Sequence, residues 1–388
     1  MESGTATAAD LPAEPDETIW ECLKPTMSPL ACGKAFHLDP RGDLTLKVGG
    51  IVDGQAHEFL VCSRSIARFS PVFNSMLFGG FAESEPKSDA PWTVELPEDR
   101  ASPIFLVLSI VHGHFMKIPQ ALKLEELYHL VVVTEKFDMT QVLHPLAATW
   151  FQPHKDSTSL EGIQFAICIA WELGHEESFR HLSKVLLLES SVNDDGNLLD
   201  SNKTPVNLPA FMEPLGILDG IAQARQKLIQ FITSLFNNVI RIMLEGRGCR
   251  ANRAQPQTFY YGAQMVEFKP IDCCSMALGQ LIRNVERIGL QKVNLLQRTK
   301  STYLGSVANL SSSIQNIPLE REGLHSDCNY LLIIKEKILE RIRDVSIPVQ
   351  DTHLERLRNQ AKKTGILWKS LTGPGGGEPS RKRAREDE

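Results

Sequence analysis

SRSIARFSPVFNSMLFGGFAESE, residues 63–85, predicts two short helices that follow one another directly. Ser63 can cap the first helix with its hydroxyl oxygen. Ser70-Pro71 begins the second helix, because proline fits the first helical position, where its missing N–H group costs no helical hydrogen bond. Gly79-Gly80 ends the second helix. The predicted inner faces of the two helices hold Ile66, Phe69, Val72, Phe73, Met76 and Leu77.

The residues before this segment alternate between apolar and polar types. Leu44, Leu46 and Val48 are separated by polar residues, which is the period-two pattern of a half-buried strand. The turn dipeptide Asp53-Gly54 and a returning strand at 57–61 complete a predicted hairpin. Further along, the pattern predicts a strand at 92–96 and three helices, which cover residues 102–113, 124–137 and 142–151. The sequence therefore predicts an α+β fold in which helices cover a small sheet.

The order of these elements, with their residues, resembles a BTB/POZ domain. The resemblance rests on Asp43-Leu-Thr-Leu-Lys-Val-Gly-Gly, Ser70-Pro-Val-Phe-x-x-Met-Leu, Phe81-x-Glu-Ser, Val94-x-Leu-Pro-Glu-Asp and Thr134-Glu-Lys-Phe-Asp. It covers about residues 43–152, and the predicted BTB/POZ domain spans 39–153. One such domain followed by a helical remainder is similar to a class of fungal proteins. The resemblance implies a module that binds other proteins and has no enzymatic activity.

The resemblance also implies which residues would form a protein-binding surface. Asp43 matches an acidic position that contributes to a charged pocket in dimeric members of the family. The usual basic partner position holds Ser63, so Arg64 is the candidate substitute. Packing of the two short helices is expected to leave Arg68, Phe81 and Glu83 on the outside. We therefore expect self-association, as a homodimer of moderate affinity or a higher assembly.

The rest of the chain divides by composition. Residues 1–38 are rich in Ala, Pro, Asp and Glu without a sustained period, and we expect them to be disordered. Residues 154–190 predict a helical pair that resembles a BACK-type region by its position. A polar loop is predicted at 191–209, and 210–370 carries apolar residues at helical spacing, which predicts an all-α C-terminal domain. Residues 371–388 form a predicted disordered tail with basic and acidic residues.

Composition argues against several classes of protein. The formal net charge of −6 is unsuited to general nucleic-acid binding, which needs a positive surface. No apolar run is long enough to predict a membrane span. Phosphate-binding loops, nucleophile elbows and dinucleotide fingerprints do not occur in the sequence. We expect no cofactor, direct nucleic-acid contact or membrane association.

One group of cysteine and histidine residues suggests a structural zinc site. Cys249, Cys273 or its neighbour Cys274, His325 and Cys328 supply thiol and imidazole ligands, and the last two have the spacing His-x-x-Cys. The gaps between the others are long, so only the fold could bring them together. The alternative hypothesis is that these cysteines are buried thiols in a helical core.

The C-terminal tail contains a short basic cluster, Arg381, Lys382, Arg383 and Arg385, which matches a nuclear import signal. The alternative is a solvated charge run, since three acidic residues follow it. Together these features predict a self-associating scaffold or nuclear assembly factor, located in the nucleus, the cytoplasm or both. The alternative function is a substrate adaptor in which the BTB/POZ domain binds a cullin scaffold of a ubiquitin ligase.

Overall fold

The N-terminal part of the chain contains a small sheet. The computed structural model describes residues 35–86, 91–249, 257–261, 264–268, 270–288, 303–317, 328–347 and 349–366. The strands of the sheet are β1 (Phe36–His37), β2 (Leu44–Val48), β3 (His57–Val61) and β4 (Thr93–Leu96). Their order is β1-β3-β2-β4. β2 and β3 pair antiparallel as the predicted hairpin, whereas β1 joins β3 and β4 joins β2 in parallel.

Strand β1 corrects the prediction that disorder extends to residue 38. The Phe36 ring lies 5.7 Å from the ring of Phe59 and 5.9 Å from that of Phe105, measured between centroids. Leu38 is buried, and its N–H group donates to the carbonyl oxygen of Leu60 at 2.9 Å. A two-residue strand is too short to show a period, so the sequence pattern could not reveal it.

The two short helices form as predicted, with bounds α1 (Ser63–Phe69) and α2 (Pro71–Phe78). Ser70 caps α2, because its Oγ accepts the N–H group of Phe73 at 2.9 Å. The same hydroxyl donates to the carbonyl oxygen of Phe137 at 2.6 Å. The rings of Phe73 and Phe137 stack with their centroids 4.4 Å apart. Thus a hydrogen bond and an aromatic stack both fix α2 to Phe137.

Three local predictions for this segment are wrong. Cys62, not Ser63, occupies the N-cap position of α1. Val72 and Phe69 are each 37% exposed, although the pattern placed both on the inner faces. Only Phe73 and Leu77 of α2 are buried, four residues apart on one line of the helix. Val72 precedes Phe73 by about 100° of helical turn, which takes it off that line.

In the described residues of the first half of the chain, five further helices follow α2. They are α3 (Ala101–Val111), α4 (Leu124–Lys136), α5 (Ala147–Phe151), α6 (Ile163–Leu173) and α7 (Glu176–Glu189). The helix predicted at 142–151 is confirmed only in its second half, because a 3-10 turn at Thr140–Leu143 precedes the shorter α5. Pro145 lies between them, and proline lacks the N–H group that a continuous helix would need there.

The second half holds the helices α8 (Ile217–Leu244), α9 (Pro270–Arg287), α10 (Val307–Gln315), α11 (Tyr330–Asp344) and α12 (Asp351–Thr364). The prediction that 210–370 is all-α is wrong, because this region also contains two strands. Strands β5 (Ser191–Val192) and β6 (Leu198–Leu199) form a ladder inside the predicted polar loop, and β7 (Gln257–Tyr261) pairs with β8 (Gln264–Phe268). The turn of the first ladder is closed by Asn193, whose Oδ1 accepts the N–H group of Asn197 at 2.9 Å.

Helix α12 lies inside the region predicted to be helical, 210–370, but its position was not predicted, because few apolar residues mark its buried face. Leu357 and Ala361 are buried together with the polar residues His353, Gln360 and Thr364. The Thr364 hydroxyl donates to the carbonyl oxygen of Leu173 at 2.7 Å, and Lys363 pairs with Asp138 at 2.8 Å. Hydrogen bonds therefore hold α12 against α6 and against the turn that follows α4.

Most of the buried apolar residues form one cluster that runs from Leu38 to Leu357. It passes through the boundary predicted at residue 153, where Phe151 and Ile163 both belong to it. Among the described helices, none combines the length and the apolar content that crossing a bilayer requires.

Candidate functional site

The α1–α2 pair and the residues that directly follow α2 expose large apolar side chains. Phe69, Val72, Phe78 and Phe81 are all exposed, and Phe81 reaches 62%. Arg64, Arg68 and Glu83, which the sequence placed outside, are also at the surface. We call the surface formed by the exposed residues of segment 63–85 the helical hairpin face.

Internal contacts hold the end of the helical hairpin face in one conformation. Ser84 Oγ accepts the N–H group of Gly80 at 3.0 Å and donates to the carbonyl oxygen of Met76 at 3.1 Å. The indole N–H group of Trp92 donates to the carbonyl oxygen of Glu83 at 2.9 Å. The Trp92 ring also meets the ring of Phe78 edge-on at 5.9 Å. The exposed aromatic residues are thus presented on a backbone that is already ordered.

Asp43 binds Ser63 and not the candidate partner Arg64. Its Oδ1 accepts the backbone N–H group of Ser63 at 2.7 Å, and its Oδ2 accepts the Ser63 hydroxyl at 2.6 Å. Leu44 pairs with Val61 across the hairpin, so the start of β2 lies beside the start of α1. Asp43 therefore ties the first turn of α1 to the sheet, and Arg64 stays at the surface.

Three of the four predicted zinc ligands come together. The sulfur atoms of Cys249, Cys273 and Cys328 all lie within 4.8 Å of one another, and Cys249 and Cys328 are 3.9 Å apart. Cys274, the alternative to Cys273, is buried but does not belong to this group. His325 lies outside the described residues, and so do Arg381, Lys382, Arg383 and Arg385 of the tail.

A cleft of about 340 Å³ lies between α8 and the 192–196 turn. Arg225 lines it and donates through one nitrogen to the carbonyl oxygens of Tyr303, at 2.9 Å, and Gly305, at 2.5 Å. Burial lowers the pKa of Arg225 to about 10, so this guanidinium stays charged at neutral pH. The two hydrogen bonds of Arg225 hold the 303–305 segment against α8.

Buried titratable groups occur where α6 meets α12. The Glu172 side chain has no exposed surface, and its two oxygens accept from Arg356 at 2.8 Å and from Gln360 at 2.7 Å. Burial raises the pKa of Glu172, and Arg356 opposes that shift. Burial also raises the pKa of the Cys168 thiol well above its usual value, which makes it a poor nucleophile.

Glu172 should make the protein less stable as the pH rises above the ordinary pKa of glutamate. Because its pKa is higher in the folded than in the unfolded state, the folded protein binds more protons between the two values. The free energy of unfolding should therefore fall as the pH rises from the ordinary pKa of glutamate through the raised pKa of Glu172. Urea unfolding of the wild type and of Glu172→Gln at a series of pH values measures this. The wild type should lose stability relative to the variant across that window, and parallel curves would contradict the assignment.

No family model, curated protein or solved structure matches this chain. The BTB/POZ resemblance therefore rests on its sequence motifs and stays a prediction.

Proposed function

We propose that the protein is a non-enzymatic scaffold that self-associates through the helical hairpin face. The observation that carries this proposal is the exposure of Phe69, Val72, Phe78 and Phe81 on an ordered backbone. Grouped exposed apolar residues are typical of protein-binding surfaces, where a few aromatic anchors supply most of the binding energy. An ordered backbone lowers the entropy that association costs.

The charges around the helical hairpin face favour a second copy of the chain as the partner. Arg64 and Arg68 lie on α1, whereas Glu83 and Glu85 follow α2, and all four are exposed. A two-fold axis brings the same patch of two subunits together in opposite directions. The basic end of one patch would then face the acidic end of the other, which makes the patch self-complementary.

Other features agree with a non-enzymatic role. Internal partners bind both oxygens of the buried Glu172, and burial keeps the Cys168 thiol protonated. The resemblance to BTB/POZ domains adds the expectation of protein binding and self-association. The basic tail adds a nuclear location to the proposal, next to the cytoplasm, for a scaffold in nuclear assembly.

We expect the full chain to dimerise in sedimentation equilibrium measured from about 1 to 100 μM. Phe81→Ser combined with Val72→Ser should weaken the dimer at least about tenfold, because both substitutions remove exposed apolar anchors without touching the core. Phe115→Ser is the matched control: Phe115 is 61% exposed, close to the 62% of Phe81, but lies after α3. The control should dimerise like the wild type.

Two results would reject this proposal. A folded chain that is monomeric at about 100 μM would imply association weaker than about −5.5 kcal/mol. The adaptor hypothesis, with a cullin scaffold as the partner, would then be preferred. Equal weakening by the Phe115 control and the double variant would show that the helical hairpin face is not the interface.

A further inference from the structure

We propose that Cys249, Cys273 and Cys328 bind one zinc ion that fastens three separate segments of the helical half. This inference is independent of the proposed scaffold function. Cys249 follows α8, Cys273 lies in the first turn of α9, and Cys328 comes just before α11. A metal ion bound there would join the ends of three helices.

The spacing of the sulfur atoms fits a tetrahedral thiolate site. Zinc–sulfur bonds of about 2.3 Å at tetrahedral angles place neighbouring sulfurs about 3.8 Å apart. Cys249 and Cys328 are already 3.9 Å apart, and each remaining distance is at most 4.8 Å. A contraction of about 1 Å or less would complete the geometry.

The surroundings of the three thiols favour a thiolate site. Cys273 lies at the N-terminal end of α9, where the helix dipole stabilises a negative charge. The Tyr330 hydroxyl donates to the carbonyl oxygen of Gly248 at 2.5 Å, which holds the segment of Cys249 against the start of α11. Cys273 and Cys328 are buried, whereas Cys249 is partly exposed, so the site opens to solvent on one side.

The chemistry of the ligand set selects the metal class. Three sulfur ligands favour zinc, or cobalt(II) as a spectroscopic substitute, over calcium and magnesium, which prefer oxygen. Each cysteine must lose its proton to bind, so loading the site from three thiols releases three protons to the buffer. No electron is transferred, and one coordination position remains for a further ligand.

Cobalt(II) titration of the reduced, chelator-treated full chain tests this site. We expect a sulfur-to-cobalt charge-transfer band that saturates at one equivalent and disappears when zinc is added. Cys249→Ser, Cys273→Ser and Cys328→Ser should each weaken cobalt binding at least about tenfold and reduce the band. Cys274→Ser is the matched control, since it removes the buried thiol next to Cys273 on the same helix, and it should bind like the wild type.

A second measurement on the wild type avoids any folding defect of the variants. One equivalent of zinc should protect Cys249, Cys273 and Cys328 from alkylation, while Cys62 reacts at the same rate with and without the metal. The proposal is overturned if no charge-transfer band forms, if less than about a tenth of an equivalent of metal binds, or if zinc protects none of the three. Equal losses in Cys274→Ser and Cys273→Ser would also overturn it.

Discussion

Replacing Phe73 with alanine is expected to lower the free energy of unfolding by about 3–5 kcal/mol. Phe73 is almost completely buried, and its ring stacks on Phe137 with the planes 14° apart. Truncation removes the transfer energy of the ring and leaves a cavity behind α2. The capping hydroxyl of Ser70 still binds the carbonyl oxygen of Phe137, so the backbone cannot easily close over that cavity. Equilibrium urea unfolding of the full chain, followed by circular dichroism, measures the loss.

Val72→Ala is the matched control for Phe73→Ala. Val72 precedes Phe73 on the same helix but is 37% exposed, so its truncation should cost less than about 1 kcal/mol. The amphipathic pattern alone would make both residues core residues. Costs of similar size for the two variants would therefore contradict the orientation of α2 in the structure.

We also expect the substitution Gly174→Ala to destabilise the protein strongly. Gly174 has φ +76°, a left-handed conformation that costs alanine about 1–2 kcal/mol. A Cβ atom at this position would also overlap the backbone nitrogen of Ala361 and the carbonyl oxygen of Leu357. Backbone atoms of a helix cannot move aside as a flexible side chain can, so α12 would have to shift away from α6. We expect a loss of at least about 2 kcal/mol beyond the backbone strain.

Gly196→Ala separates the strain from the clash. Gly196 has φ +87°, but a Cβ atom there would meet nothing within 4 Å. Its substitution should therefore cost only the backbone strain, about 1–2 kcal/mol. The difference between the two variants in urea unfolding reports the close approach of α6 and α12. If the two variants lose the same stability, the packing of α12 on Gly174 is incorrect.

The sequence was sufficient to predict the helices and strands whose apolar residues recur at regular spacing. The β2–β3 hairpin and the α1–α2 pair were predicted because their apolar residues alternate or recur every three to four positions. The position of helix α12 was not predicted, because polar residues occupy much of its buried face, and two of them, Gln360 and Thr364, form hydrogen bonds with α6. The short strands β1, β5 and β6 have two residues each, which is too few for any pattern.

The candidate sites show the same limit. The sequence showed which cysteine residues could bind a metal, but it did not choose between Cys273 and Cys274. Neighbouring residues on a helix point about 100° apart, so only the fold shows that Cys273 is the one beside Cys249 and Cys328. The hydrogen bonds of Asp43 could not be predicted either: the family resemblance drew attention to Arg64, whereas the fold of the chain places Ser63 within hydrogen-bonding distance. The exposure of Phe69 and Val72 could not be seen in the apolar pattern, which favours burial for both.

Photo-crosslinking from Val72 tests the central claim, self-association through the helical hairpin face, most directly. A benzophenone side chain at Val72 in the full chain, illuminated at about 100 μM protein, should give a covalent dimer whose linked peptides fall within 63–85 of the second copy. The same group at Glu177, an exposed position on α7, should give no dimer. Absence of the Val72 dimer, or links that map only outside 63–85, would contradict the claim.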